Sequence, residues 1–388
     1  MKRLLAVGLS CWMLLAGKAL AGSDWLEEAR SISEALDDVT AQAMNLTEIA
    51  AVWSKKGETQ RAIELLESAG VVVAGMDAVD MQIRVLSEMA VVYQKAGNAE
   101  SALESMQKAQ ALLVSVEDAG ERPWLQSWMS GCAARAGMME LAEALSEGIL
   151  DPSAAAESRG FIALARAQAG EWTKALESLE DISDPSGLSW ALADMLEIMV
   201  KGDSVDTERL ENLIEKALEA SAQIKDSYGR AAIPIRVARV LADAGQREKA
   251  LALLNESKLL VDSIAEYYWQ IESYGLLARG FAAAGDKASA LASMEASESV
   301  VRGLTVPAAR SWNQAEVAVS YAAIGERERA LERSAAVEWL TAQAWAVSEI
   351  AVATAKAGEV TEAIELARTI RVPAWRATAL IRLADSQL

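Results

Sequence analysis

Apolar residues along this chain of 388 recur at intervals of three and four rather than two, which predicts helices throughout and few or no strands. The pattern is punctuated by glycines followed by a fresh helix start: Gly57, Gly97, Gly137, Gly170, Gly202, Gly245, Gly285, Gly325 and Gly358. An alanine follows five residues later at Ala62, Ala102, Ala142, Ala175, Ala250, Ala290, Ala330 and Ala363. Eight residues before the glycine stands a large apolar side chain (Ile49, Met89, Met129, Ile162, Val237, Leu277, Val317, Ile350), and the next position is small. The unit at Gly202 breaks both rules, with Asp194 and Thr207.

This is the pattern of a helical hairpin. Glycine ends the first helix in a left-handed conformation, small residues let the two backbones approach, and the large apolar residues fill the space between hairpins. A lone hairpin cannot bury its apolar face, so the units must stack. The expected fold is all-α: a right-handed superhelical alpha-solenoid of about nine antiparallel hairpins. Helices at Asp24–Leu36 and Ala374–Gln387 would cap its two ends.

A longer period lies above the hairpin. The glycine intervals 40, 40, 33 occur twice, and corresponding glycines are 188 residues apart. At that offset Gln82-Ile83 matches Gln270-Ile271, Ser101-Ala102-Leu103 matches Ser289-Ala290-Leu291, and Arg122, Trp124 and Gln126 match Arg310, Trp312 and Gln314. The chain reads as a tandem duplication: a first half at 22–200, a degenerate junction at 201–211 and a second half at 212–388. Pro152, Pro185 and Pro373 fit loops between hairpins. Pro234 falls inside a helical stretch, where a kink or a late helix start is expected.

The turns "KGETQRAIELL" at Lys56–Leu66, "AGNAESALESM" at Ala96–Met106 and "AGEVTEAIELA" at Ala357–Ala367, with the upstream large–small pair and aromatic, resemble the tetratricopeptide repeat family. The resemblance covers about residues 44–370; the 40-residue units and the scarcity of proline depart from the family pattern. It implies that the first helix of each hairpin lines a concave groove, through positions thirteen, ten, six, three and two before the glycine. Trp124, Trp312, Trp345 and Trp375 share the first of these registers; the later ones include Lys55, Lys95, Arg135, Arg239, Arg279 and Lys356. The candidate binding residues are therefore Trp124, Trp312, Trp345, Trp375, Lys95, Arg135 and Arg279, since aromatic and basic side chains commonly carry interface energy. The competing reading makes the tryptophans packing residues, copied by the duplication. Trp128, Trp172, Trp190, Trp269 and Trp339, which share no register, read as packing, and the carboxylates as solvated surface.

Composition narrows the chemistry. With no histidine anywhere, Ser-His-Asp and Cys-His nucleophiles and histidine-ligated metals are excluded. There is no phosphate-binding glycine loop, no dinucleotide fingerprint and no calcium loop; no catalytic residue, cofactor or metal is expected. Lys2-Arg3, the apolar run Leu4–Ala16 and Ala19-Leu20-Ala21 read as a signal peptide cleaved after Ala21, which places the chain in the periplasm or outside the cell. Removing Lys2, Arg3 and Lys18 takes the formal charge from −19 to −22, a surface that repels nucleic acid. No further segment reaches membrane-spanning length. Cys132 then stands alone and reads as buried. The expected function is an exported, non-catalytic scaffold that binds a protein or peptide in its groove. The alternative is a periplasmic binder of cell-wall polysaccharide that stacks sugars on tryptophan.

Overall fold

The computed structural model describes residues 24–202 and 206–388, so the expected signal peptide lies outside the described residues. Among these residues there are twenty helices and no strand. The first, α1, spans 24–34. It is followed by α2 (Val39–Lys55), α3 (Thr59–Ala74), α4 (Val79–Lys95), α5 (Ala99–Leu113), α6 (Arg122–Arg135), α7 (Met139–Glu147), α8 (Pro152–Gln168), α9 (Trp172–Glu177) and α10 (Pro185–Lys201). The second half continues with α11 (Thr207–Ala222), α12 (Ser227–Asp243), α13 (Arg247–Asp262), α14 (Tyr267–Ala283) and α15 (Lys287–Arg302). It ends with α16 (Pro307–Ala323), α17 (Arg327–Ala335), α18 (Leu340–Lys356), α19 (Val360–Arg368) and α20 (Pro373–Asp385). None of the described helices is long and apolar enough to cross a membrane.

Each even-numbered helix pairs with the odd-numbered helix after it, and packs against the even-numbered helices on either side. At eight of the nine glycines expected to turn, φ lies between +72° and +94°, where a Cβ would be strained. Gly202 alone has φ −74°. Its first helix keeps the repeat once the register is moved back two residues: Leu192 then takes the large apolar position and Ala193 the small one, both buried. Asp194 is thus no exception to the repeat; Gly202 is displaced from the turn position. Thr207 opens α11, so part of the expected 201–211 junction is helix.

The proline expectations change. Pro152, Pro185 and Pro373 do not sit in loops but open α8, α10 and α20 at the first turn, where a missing N–H costs nothing. Pro234 lies within α12, which starts at Ser227 behind an Asp226 cap and runs through it, so the late start is excluded.

The two helices expected as end caps meet each other. α20 packs against α2, Thr378 Oγ1 lies 3.3 Å from Asn45 Oδ1, and Lys55 pairs with Asp385 at 2.6 Å. On the outside, Arg368 of α19 reaches Glu28 of α1 at 2.6 Å. One core cluster runs without interruption from Trp25, Leu26 and Ala29 through α2 and α4, and also contains Leu380, Ile381 and Leu383 of α20. Nine hairpins follow one another along the chain, and α20 with α1 makes a tenth. The solenoid is a closed ring.

All ten inner helices run in the same direction, because each is followed by an antiparallel outer helix. No inner helix touches any inner helix except its two neighbours. Ten helices at the usual spacing of 8–10 Å enclose a circle of axes about 30 Å across, which leaves a lumen of about 15–20 Å. The ring has an internal near-twofold relation: every helix from α1 to α10 has its counterpart 188 residues later in α11 to α20.

A lumen with an aromatic mouth and a cavity in one wall

Each inner helix keeps one narrow stripe out of the core. In α2 this is Met44, Glu48, Ala51 and Lys55, spaced along a single helical face. These positions, thirteen, nine, six and two before the turn, form the lumen wall. The register ten before the turn does not: Thr47, Ser87, Ser127 and Ser348 are buried between adjacent inner helices. Three of these small hydroxyls satisfy themselves locally or on a neighbour, Ser87 donating to the Ile83 carbonyl and Ser127 to Glu157.

The register that was not anticipated, nine before the turn, carries Glu48, Glu88, Glu316 and Glu349 into the lumen, with Arg236 at the same place in α12. Here the carboxylates are an inner wall rather than a solvated exterior. Glu88 accepts from Arg135 at 2.6 Å, Glu197 from Arg236 at 2.7 Å and from Arg239 at 2.5 Å, and Glu349 is gripped by Arg382. Burial opposes the charge on Glu197, but Arg236 and Arg239 outweigh it and hold its carboxyl below the ordinary range. Desolvation by the packed wall lifts the carboxyls of Glu48 and Glu316 above that range, against the pull of Arg382 and Arg279 respectively.

One mouth of the lumen is formed by the N-termini of all ten inner helices and is aromatic. Trp124 and Trp312 are exposed on the first turns of α6 and α16, and Trp345 and Trp375 are half-buried on α18 and α20. Trp345 and Trp375 also pack against the apolar clusters of the wall. Trp312 and Trp345 face each other with ring centroids 6.2 Å apart; Trp124, ten helices away along the chain, stands apart from them. Two tryptophans expected to pack, Trp269 and Trp339, are exposed and join this mouth; Trp190 packs against the core as expected, and its ring continues through Tyr228 to Trp269 at 6.1 and 4.4 Å. Trp172 is half-buried under Arg209.

The opposite mouth is formed by the C-termini of the inner helices, whose last turns carry Lys55, Lys95, Arg135, Lys201 and Lys356. Cations are favoured there by the helix dipole. Lys95 has its pKa lowered by burial and by the neighbouring Arg135 and Lys55, so the structure brings two of the expected basic residues together. Arg135 also donates to the Cys132 sulfur at 3.1 Å; the thiol is fully buried, and burial pushes its pKa up. Arg279 lies away from this group, on α14, with a buried Nε that has no partner, near Glu316.

A cavity of about 470 Å³ opens in the wall between α2 and α4, lined by Met44, Thr47, Glu48, Ala51, Met81, Arg84, Val85, Glu88, Val92 and Trp128. A second hollow of about 310 Å³ adjoins it between α6 and α8 and shares Glu88 and Trp128. Trp128 is the partition. Arg84 and Arg135 lie over its ring at 5.6 and 5.9 Å, and its Nε1, buried, has no acceptor. Trp128 stands nine before Gly137, in the same luminal register as Glu48 and Glu88; the sequence reading missed it because that register was not expected to face the groove.

No family model and no curated protein matches the chain. Among solved structures, the chain is similar to Ton1535 from Thermococcus onnurineus NA1, at 15% identity over 95% of this chain and 98% of that one, with a TM-score of 0.34. A likeness of that degree carries no argument about function.

Proposed function

We propose that this ring is an exported, non-catalytic scaffold of tetratricopeptide-like hairpins that holds a polypeptide segment of a partner protein in its lumen. The closed wall turns the expected groove into a channel, and its width accommodates an extended chain or a single helix, which is 10–12 Å across. The observation that carries the reading is the composition of that channel. An inner wall that carries both carboxylates and arginines, with aromatic faces at one mouth, suits a chain of mixed side chains better than a uniform polyanion. Export rests on the leader-like residues 1–21.

The test is site-specific photocrosslinking in the native cell, with a benzophenone side chain at luminal Ala51 or Val319 and, for comparison, at outward-facing Val71 or Leu259, which are 78% and 72% exposed. The reading expects polypeptide adducts from the luminal probes only. Adducts from the outer probes alone would overturn it. The pairing of exposed Trp312 with half-buried Trp345 favours a second reading, polysaccharide stacked at the aromatic mouth. In that case luminal probes give no polypeptide adduct, and Trp312→Ala abolishes retention on cell-wall glycan.

A further inference from the structure

The duplication provides an internal comparison. Positions identical between the halves do framework work: Gln82 and Gln270 both donate to carbonyls at the end of the preceding outer helix, and Trp124 and Trp312 occupy the same turn. The cavity between α2 and α4 behaves oppositely. All ten of its lining residues differ from their counterparts 188 residues on. Met44, Thr47, Glu48, Ala51 and Met81 correspond to Ala232, Ile235, Arg236, Arg239 and Trp269. In the second half that place is filled by the Arg236 and Arg239 ion pairs and by Trp269 against Tyr228. The first half has kept a hollow where the second has filled it.

The hollow is chemically polarised. Its walls are mostly apolar, from Met44, Ala51, Met81, Val85 and Val92. Glu48, on the open luminal stripe, has neither an ion-pair nor a hydrogen-bond contact among the described residues; desolvation by the wall disfavours its charge, Arg382, itself gripped by Glu349, opposes this from a distance, and Glu88 and Asp385 add to it. Arg84 likewise has no carboxylate partner there; its guanidinium rests on the Trp128 ring, whose Nε1 lacks an acceptor. An occupant that completes the site supplies a cation to Glu48, an acceptor to Arg84, and an apolar body between them that rests on the Trp128 ring.

We propose that this cavity binds a short zwitterionic peptide of two or three apolar residues. Its ammonium would face Glu48 and its carboxylate Arg84. The size of the cavity lies in the range of small-molecule sites. The inference goes beyond the luminal polypeptide reading and stands or falls separately from it.

The probe is Leu-Leu, titrated calorimetrically into the full chain alongside N-acetyl-Leu-Leu and Leu-Leu amide. Leu-Leu is expected to bind, with each blocked peptide weakened tenfold or more. Glu48→Gln should erase discrimination against acetylation, and Arg84→Gln discrimination against amidation. Met81→Trp, which installs the residue the second half carries, should abolish binding with helicity retained; if that variant does not fold, the two Gln variants decide. Equal binding of blocked and free peptides, unchanged affinity in both Gln variants, or no binding of Leu-Leu overturns the proposal. Luminal crosslinks to polypeptide would survive any of these results.

Discussion

At the scale of the residue, the lumen separates two kinds of carboxylate that the sequence presents alike. Glu197, held by arginines, keeps its proton more weakly in the fold than in the unfolded chain. It therefore contributes stability above its unfolded pKa that is lost as the pH falls. Glu316 is the reverse: burial, with Glu272 and Glu349 adding and Arg279 opposing, raises its pKa. The folded state then binds this proton more tightly than the unfolded chain, so Glu316 favours the fold in acid and costs stability as the pH rises through its folded pKa. Glu316→Gln is expected to raise Tm near neutrality and to leave it unchanged in mild acid, as followed by circular dichroism. The turn glycines were legible because a positive φ demands glycine. The luminal acids were not, because a glutamate on an outward face and one on an inward face of a ring follow the same helical spacing.

At the scale of the element, hairpins are joined by a device that recurs fifteen residues before the turn. Gln82 donates from Nε2 to the carbonyls of Met76 at 2.5 Å and Val73 at 3.2 Å; Gln42, Gln270 and Arg122 do the same to Glu34, Val261 and Val116. These carbonyls lie at or just beyond the end of an outer helix; those of Val73 and Val261 also accept the backbone N–H of Met76 and Ile264, whereas that of Met76 depends on the glutamine. Gln82→Ala is expected to cost about 1–2 kcal/mol, the cost of leaving such groups unsatisfied, measured by urea unfolding. The duplication had shown Gln82 and Gln270 to be equivalent, but not what they hold, because the acceptors are backbone atoms with no sequence signature. The fifth unit failed for a different reason. Gly202 looked like its turn, and only the spatial match of α10 to α20 reveals the two-residue displacement.

At the scale of the molecule, ring closure is the feature least legible in the sequence. It joins residues 330 and more apart and depends on small curvatures summed over ten hairpins. Its two half-to-half joints are equivalent by the offset yet carry exchanged charge. Between α10 and α12, Asp194 and Glu197 face Arg236 and Arg239. Between α20 and α2, the corresponding Arg382, gripped by Glu349 of α18, also feels the charge of Glu48. Pairing α10 with α2 would set Asp194 against Glu48, so the charges direct each end to its own partner. The closing ion pairs are solvent-accessible and worth about 0.2–1 kcal/mol each, so the shared apolar cluster of α1, α2 and α20 must hold the joint. The direct test is a pulsed dipolar distance between spin labels at Lys55 and Asp385, in a chain with Cys11 and Cys132 replaced by serine. The corresponding pair across the continuous joint, Asp243 and Glu197, serves as the internal standard. A closed ring predicts the same single short distance for both pairs, unchanged in high salt. A short distance at Asp243–Glu197 with a long, broad distribution at Lys55–Asp385 would mean that the solenoid is open.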